Sequence, residues 1–278
     1  MALNLRAVLS DRCNYQCVFC SRDFNRAVHQ DLPAGFLEVC MKSFAALGGQ
    51  KFTCTGGEPL IYPQLLSLLR TAKSLGLTTS ITTNGSLLPR QSSEFFTLVD
   101  ALNISIPSFN PEEYINLTGA SSLEAVKTSA LDAASLGIKV KINCVYSQGR
   151  ELMIREMVNY FAPHGIIIKL MNDMLARGDY YAAFMEYASR FRKSPDVEVE
   201  CALNPGYTFC QDCTIPRNSS CPSCRSLWVY PDGRITLCPF DETGSYLRAS
   251  HDTIREHMKE LMIYDRQENY NRAVHENT

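Results

Sequence analysis

Short runs of β-branched and apolar residues recur between residues 3 and 172, each followed by a stretch whose apolar positions repeat every three or four residues. The runs predict strands at Leu5–Leu9, Lys51–Cys54, Thr78–Thr82, Ala101–Ile106, Lys139–Val145 and Ile166–Met171. The stretches between them predict helices near Pro33–Leu47, Tyr62–Leu75, Arg90–Val99, Ser122–Leu136 and Arg150–Phe161. Six strand–helix repeats define an α/β chain with a parallel sheet and predict a partial (β/α)6 barrel of TIM type. Ligands of such sheets collect at the C-terminal ends of the strands. The polar segments after the first and second strands, residues 10–20 and 55–60, fall at such ends.

The repeat then fades. Residues 175–192 read as an aromatic, charged helix, and Tyr180, Tyr181, Phe184 and Tyr187 form a stripe on it that fits either a core face or a pocket wall. After Pro195 the chain turns to Cys, Pro, Asn and Ser. A domain boundary is therefore expected between a barrel over residues 1–194 and a Cys-rich domain with a C-terminal helix and tail over residues 195–278. The segment Val229-Tyr-Pro-Asp-Gly-Arg-Ile-Thr-Leu-Cys238 reads as a hairpin turned at Pro-Asp-Gly.

Length and composition suit a globular protein: 278 residues, 45% hydrophobic and 20% charged. A formal net charge of −2 leaves no basic footprint for nucleic acid. No apolar run approaches the roughly 20 residues that span a bilayer, and Met-Ala-Leu-Asn-Leu-Arg lacks a signal peptide's apolar core. A cytoplasmic location is expected, with neither nucleic acid nor membrane as partner. Twelve cysteines in a reducing compartment point to metal binding or packing, not to disulfides. Cys40, Cys54 and Cys144 lie in predicted helix or strands and suit packing.

Cys13, Cys17 and Cys20 are spaced Cys-x3-Cys-x2-Cys and present three thiolates from one loop. Thiolates select zinc, copper(I) or iron–sulfur clusters, and a structural zinc site or an electron-transfer cluster uses four protein ligands. Three ligands on a [4Fe–4S] cube leave one iron open. Downstream, Thr55-Gly-Gly-Glu-Pro-Leu60 supplies a glycine pair that admits a ligand close to the backbone, then a carboxylate able to accept from an ammonium. An open iron and an ammonium acceptor suit one amino-acid ligand.

On these two motifs the chain resembles the radical S-adenosylmethionine (SAM) enzymes, in which SAM chelates the open iron and is cleaved reductively to a 5′-deoxyadenosyl radical. A closer resemblance, to the GTP 3′,8-cyclases of the MoaA type and to the related auxiliary-cluster (SPASM/Twitch) enzymes, rests on several stretches. These are Leu5–Cys20, Thr55–Leu60, Thr82-Thr-Asn-Gly-Ser-Leu-Leu88, Ser105, Val140-Lys-Ile-Asn143 and Cys221-Pro-Ser-Cys224-x13-Cys238. The resemblance implies that Gly56, Gly57 and Glu58 hold the SAM amino group. It places Thr83, Ser105 and Asn143 along the ribose and carboxylate, and Phe19 beside the adenine. It also implies two [4Fe–4S] clusters, the second on Cys221, Cys224 and Cys238 with Cys201, Cys210 or Cys213 available as a fourth ligand. A zinc ribbon that adds the Cys210–Cys213 pair is the other reading of these tail cysteines.

Arg6, Lys51 and Lys141 stand where those cyclases present cations to the GTP phosphates; Arg6 and Lys51 also read as solvated strand-edge residues. Thr53 stands where they carry arginine, and Ser226 and Trp228 replace two further arginines. Loss of three planar forks weakens bidentate phosphate recognition, so GTP itself is not the expected substrate. The resemblance implies a radical SAM enzyme that abstracts hydrogen from a small molecule, with a nucleoside, nucleotide or aminosugar favoured. Its auxiliary cluster would bind substrate or move an electron during oxidation, cyclisation or epimerisation, and a flavodoxin- or ferredoxin-type donor would supply the reducing electron. The first strand begins almost at once, which also favours a small metabolite. Two rival readings are a maturase acting on a ribosomal peptide and a non-enzymatic zinc or iron–sulfur scaffold.

Overall fold

A computed structural model describes residues 4–20, 30–171, 184, 186–187, 199–202, 226–237 and 244–262, with the backbone alone for 199–202. The chain divides into two compact units. One comprises residues 1–12, 27–80 and 213–278, and the other residues 13–26 and 81–212. The boundary expected at 194/195 lies outside the described residues.

In the first unit, β1 (Asn4–Val8) pairs in parallel with β2 (Lys51–Thr55) on one side and with β8 (Ser226–Val229) on the other. β9 (Ile235–Thr236) closes antiparallel on β8. The expected hairpin is present: Tyr230 N–H donates to Arg234 O and Gly233 N–H to Tyr230 O, at 3.1 and 2.9 Å, with Gly233 at φ +83°. A left-handed residue at that position is what the turn needs glycine for. Helices α1 (Ala34–Ala46) and α2 (Leu65–Ser74) bury Leu37, Met41 and Phe44 and Leu68 and Leu69. Residues 251–262 are helical and bury Ile254, Met258, Leu261 and Met262.

In the second unit, β4 (Ala101–Ser105), β5 (Lys139–Val145), β6 (Ile167–Met171) and β7 (Val199–Ala202) pair in parallel in that order. Helices α3 (Ser93–Leu98), α4 (Pro111–Thr118), α5 (Leu123–Ser135) and α6 (Glu151–Phe161) alternate with the strands. β3 (Thr78–Thr83) runs from the first unit into the second. Strand–helix order and parallel pairing are those of a partial (β/α)6 barrel, and the six predicted strands are all found within about one residue of their expected limits.

Strict alternation governs the strands. In β5, Val140, Ile142 and Cys144 are buried against helices while Lys141, Asn143 and Val145 face the other way. β4 and β6 repeat the pattern. Because register fixes which residues share a face, Asn103, Ser105, Lys141, Asn143 and Lys169 come to one polar face, through the pairs Asn103/Lys141, Ser105/Asn143 and Asn143/Lys169. In the first unit Asn4, Arg6, Lys51, Thr53, Ser226 and Trp228 share a face by the same rule. β1 lies between two partners, so Arg6 is not at a strand edge.

Helix α4 was not expected from the periodicity, which eight residues cannot display. Phe184 and Tyr187 of the aromatic stripe pack on Tyr146, at ring centroid distances of 5.8 and 4.9 Å, and belong to the core. Tyr180 and Tyr181 lie outside the described residues.

Candidate radical SAM site

The loop after β1 is tied down on both sides. In the first unit, Leu9 N–H donates to Thr55 O at 2.9 Å, Gly57 N–H to Ser10 O at 2.7 Å and Glu58 N–H to Arg12 O at 2.9 Å. Gly56 adopts φ +129°, and a Cβ there would sit 2.5 Å from Ser10 O. Glycine at position 56 is therefore required by the close approach of two backbone segments. Arg12 grips Asp31 with Nε at 3.1 Å from Oδ1 and a second contact from Nη2 to Oδ2. Glu58 is 1% exposed, and its Oε1 accepts from Leu60 N–H at 3.0 Å.

In the second unit, residues 13–20 dock on α4 and the turn after β3. Gln16 N–H donates to Thr118 O and Val18 N–H to Leu117 O, at 3.1 and 3.0 Å. Tyr15, between the first two cysteines, is 5% exposed. Its hydroxyl meets Tyr114 Oη at 3.1 Å and also contacts Ser122 Oγ. Cys13 Sγ accepts from Tyr15 N–H at 3.4 Å and from Asn84 Nδ2 at 4.0 Å. Phe19 is 40% exposed and Val18 74%. An exposed ring beside thiols is available to stack on a ligand.

Cys13, Cys17 and Cys20 are not in disulfides and are partly exposed. Among the described residues no three His, Cys, Asp or Glu side chains are gathered into a metal-holding group, so the thiols share a loop without forming a closed ligand set. Their chemistry fits an iron–sulfur cluster: three soft donors, one of which already accepts amide hydrogens in the manner of a cluster sulfur. In contrast, Cys40, Cys54 and Cys144 are fully buried, and burial pushes all three thiols up, Cys144 to about 12. They are packing residues.

The polar face of β4–β6 carries Ser105, Lys141 and Asn143. Asn143 Oδ1 is buried and has no hydrogen-bond partner among the described residues, an orphaned acceptor on β5. Ser105 is its register neighbour. Thr83 is 2% exposed, and its Oγ1 accepts from Gly85 N–H at 2.9 Å, which gives it a turn-closing role. Lys141 lies on this face, and so does Lys169, which the sequence reading missed although it interrupts the apolar run Ile166–Met171. Arg6 Nε donates to Ser226 Oγ at 3.3 Å, and its guanidinium lies 5.3 Å from the centre of the Trp228 ring. Lys51 shares that face. Cys210, Cys213, Cys221, Cys224 and Cys238 lie outside the described residues.

A parallel α/β barrel fold with a three-cysteine loop after its first strand defines a class of cluster-binding enzyme. The Radical SAM superfamily profile matches residues 7–160, more than half of the chain, and the chain belongs to that superfamily. Membership of the superfamily implies SAM and a [4Fe–4S] cluster as cofactors. The chain is similar to a probable GTP 3′,8-cyclase of Thermococcus kodakarensis, 33% identical over 171 residues covering 60% of this chain. That match spans 56% of the relative's own length. It is also similar to the GTP 3′,8-cyclase of Aquifex aeolicus, at 27% identity over 96% of this chain and 90% of the relative. Among solved structures it resembles Streptococcus suis SuiB bound to S-adenosylmethionine, with a TM-score of 0.66 at 19% identity over 91% of this chain and 65% of that one. The fold likeness extends to anSMEcpe with bound AdoMet, at TM-score 0.64 and 17% identity over 93% of this chain and 81% of that one. No helix among the described residues is long and apolar enough to cross a membrane.

Proposed function

We propose that the protein is a radical SAM enzyme acting on a small molecule other than GTP, with a nucleoside, nucleotide or aminosugar as substrate class and an auxiliary cluster on its C-terminal cysteines. Cys13, Cys17 and Cys20 would hold the cluster, and Gly56, Gly57 and Glu58 the SAM amino group. Ser105 and the orphaned Asn143 amide oxygen are suited to the polar ribose and carboxylate region, Thr83 to the turn beside it, and Phe19 to the adenine. Held by Cys13, Cys17 and Cys20, a cluster would supply the electron for reductive cleavage of SAM and so the means of hydrogen abstraction. The chain's own contribution is position: a backbone-pinned loop, a glycine pair admitting close approach, and a polar strand face carrying Lys141 and Lys169.

The observation that carries the substrate reading is the neighbourhood of Arg6. Ser226 and Trp228, standing where the cyclases have arginines, lie beside Arg6: one accepts from its Nε and the other lies beneath its guanidinium. Two cationic forks are thus exchanged for a hydroxyl and an indole, which favours one anionic group and a planar ring over a triphosphate. Arg6, Lys51 and Lys141 remain as the substrate-facing cations. Cys221, Cys224 and Cys238, with Cys201, Cys210 or Cys213, would hold the auxiliary cluster. A flavodoxin- or ferredoxin-type donor is the electron source of this reading.

The test is release of 5′-deoxyadenosine from SAM and dithionite by the reconstituted protein, alone and with GTP, mononucleosides, nucleoside monophosphates or aminosugars. Stimulation by one of the smaller ligands and none by GTP supports the reading. Stimulation by GTP with formation of a cyclised nucleotide overturns it.

A further inference from the structure

Asn84 sits in the turn after β3, immediately before Gly85, which is held at φ +80°. That turn is not free to move. Thr83 Oγ1 accepts from Gly85 N–H, and a Cβ at Gly85 would lie 2.9 Å from Ile104 Cγ2 and 3.0 Å from Val126 Cγ1. The Asn84 amide is also fixed in its orientation. Its Oδ1 accepts from Ser86 N–H at 3.0 Å and from Ser86 Oγ at 2.7 Å, so reversing the amide would set an NH2 group against two donors. Its Nδ2 donates to Asn14 Oδ1 at 2.9 Å, and Asn14 Nδ2 in turn donates to Ser86 Oγ at 2.9 Å. The three side chains close a ring of hydrogen bonds. What this ring leaves directed outward is the Asn84 amide toward Cys13 Sγ, at 4.0 Å.

We propose that Asn84 is a positioning residue for the iron–sulfur cluster and that its amide N–H, aimed at the Cys13 sulfur, raises the reduction potential of that cluster. The proposal rests on the reading that Cys13, Cys17 and Cys20 bind the cluster. An electron added to a cluster increases the negative charge on its sulfurs, and a fixed N–H dipole pointing at one of them stabilises the reduced form. A thiolate draws the dipole more strongly than the neutral thiol does. The Asn14–Ser86 ring matters because it spends the reorganisation in advance: the donor is aimed before the electron arrives. Tyr15 N–H supplies the second donor to the same sulfur, so Asn84 is the side-chain component that substitution can remove.

The experiment is an EPR-monitored redox titration of the full reconstituted chain, following the signal that changes on SAM addition, for wild type, Asn84→Leu and Ser86→Ala. The leucine variant removes the donor; the alanine variant keeps it and loosens its aim. The expected result is a downward shift of the midpoint potential in Asn84→Leu, a smaller downward shift in Ser86→Ala, and iron content equal to wild type in the fraction titrated. An unchanged midpoint in cluster-loaded protein of both variants overturns the proposal and leaves Asn84 a turn residue. If Asn84→Leu fails to fold, Ser86→Ala decides by the same criterion. A wild type that takes up iron but shows no SAM-responsive signal defeats the cluster reading itself, and the proposal with it, which separates that failure from the failure of Asn84 alone.

Discussion

At the scale of single residues, the cysteines sort by environment. Cys40, Cys54 and Cys144 have no exposed surface and thiols pushed upward by burial, whereas Cys13, Cys17 and Cys20 are partly exposed in one loop. Thiolate is the reactive form, so brief iodoacetamide treatment of the apoprotein near pH 8 should label the loop cysteines and spare the buried three. Peptide mass mapping reads the difference, and equal labelling of Cys54 contradicts the described packing. Gly56 offers a second test. A Cβ 2.5 Å from a carbonyl oxygen at φ +129° cannot be relieved by a side-chain rotation, so Gly56→Ala should cost about 1–3 kcal/mol in urea unfolding. This residue was legible in the sequence as half of a glycine pair, but for a ligand; its contact with Ser10 depends on a strand pairing that no local pattern reveals.

Glu113 shows how a charge pair reports on the same scale. Partial burial raises its carboxyl, but hydrogen bonds from Ser108 and Arg150 and the Arg150 charge outweigh that and leave it below the ordinary carboxylate value. A carboxyl lowered in the folded state contributes stability above its unfolded pKa and loses it as pH falls through the folded value. The unfolding difference between wild type and Glu113→Gln should therefore be largest near neutrality and shrink as the pH drops through the acid range. A difference that holds constant or grows toward low pH contradicts the pairing.

At the scale of elements, strands were readable because alternation survives in one dimension: Lys141, Asn143 and Val145 interrupt an apolar set on β5 at every second position. Helix α4 escaped the periodicity, yet its ends were written in the chain. Asn110 Oδ1 accepts from Glu113 N–H at 2.9 Å, Pro111 opens the helix and Gly119 closes it at φ +72°. Cap chemistry, not hydrophobic spacing, was the available signal. The helix matters to the site because Leu117 O and Thr118 O at its end receive Val18 and Gln16 of the cysteine loop. Asn110→Ala should cost about 1 kcal/mol by thermal or urea unfolding. Hydrogen exchange should quicken at Gln16 and Val18 as well, if α4 supports the loop; exchange confined to residues 110–113 would show that it does not.

At the scale of the whole molecule, sequence reasoning reached the partial barrel, while the division of the chain into two compact units rests on long-range contacts that no local pattern shows. The first unit joins residues 1–12 and 27–80 to residues 213–278, a long-range association that strand order alone does not encode. β8 supplies the concrete instance. It pairs in parallel with β1 across more than two hundred residues and brings Ser226 and Trp228 to Arg6, a contact invisible to any local window. The tail cysteines extend the same argument: iron counting after reconstitution should give about eight irons in wild type and about four in a Cys221/Cys224/Cys238 triple alanine variant. Zinc in place of the lost iron would reduce the tail site to a structural staple.

The central claim, that Cys13, Cys17 and Cys20 carry radical SAM chemistry, is tested most directly by 5′-deoxyadenosine release from SAM under dithionite, compared between wild type and a Cys13/Cys17/Cys20 triple alanine variant. The account predicts release by the wild type and none by the variant. Equal release by both, or none from a wild type fully loaded with iron, would contradict it.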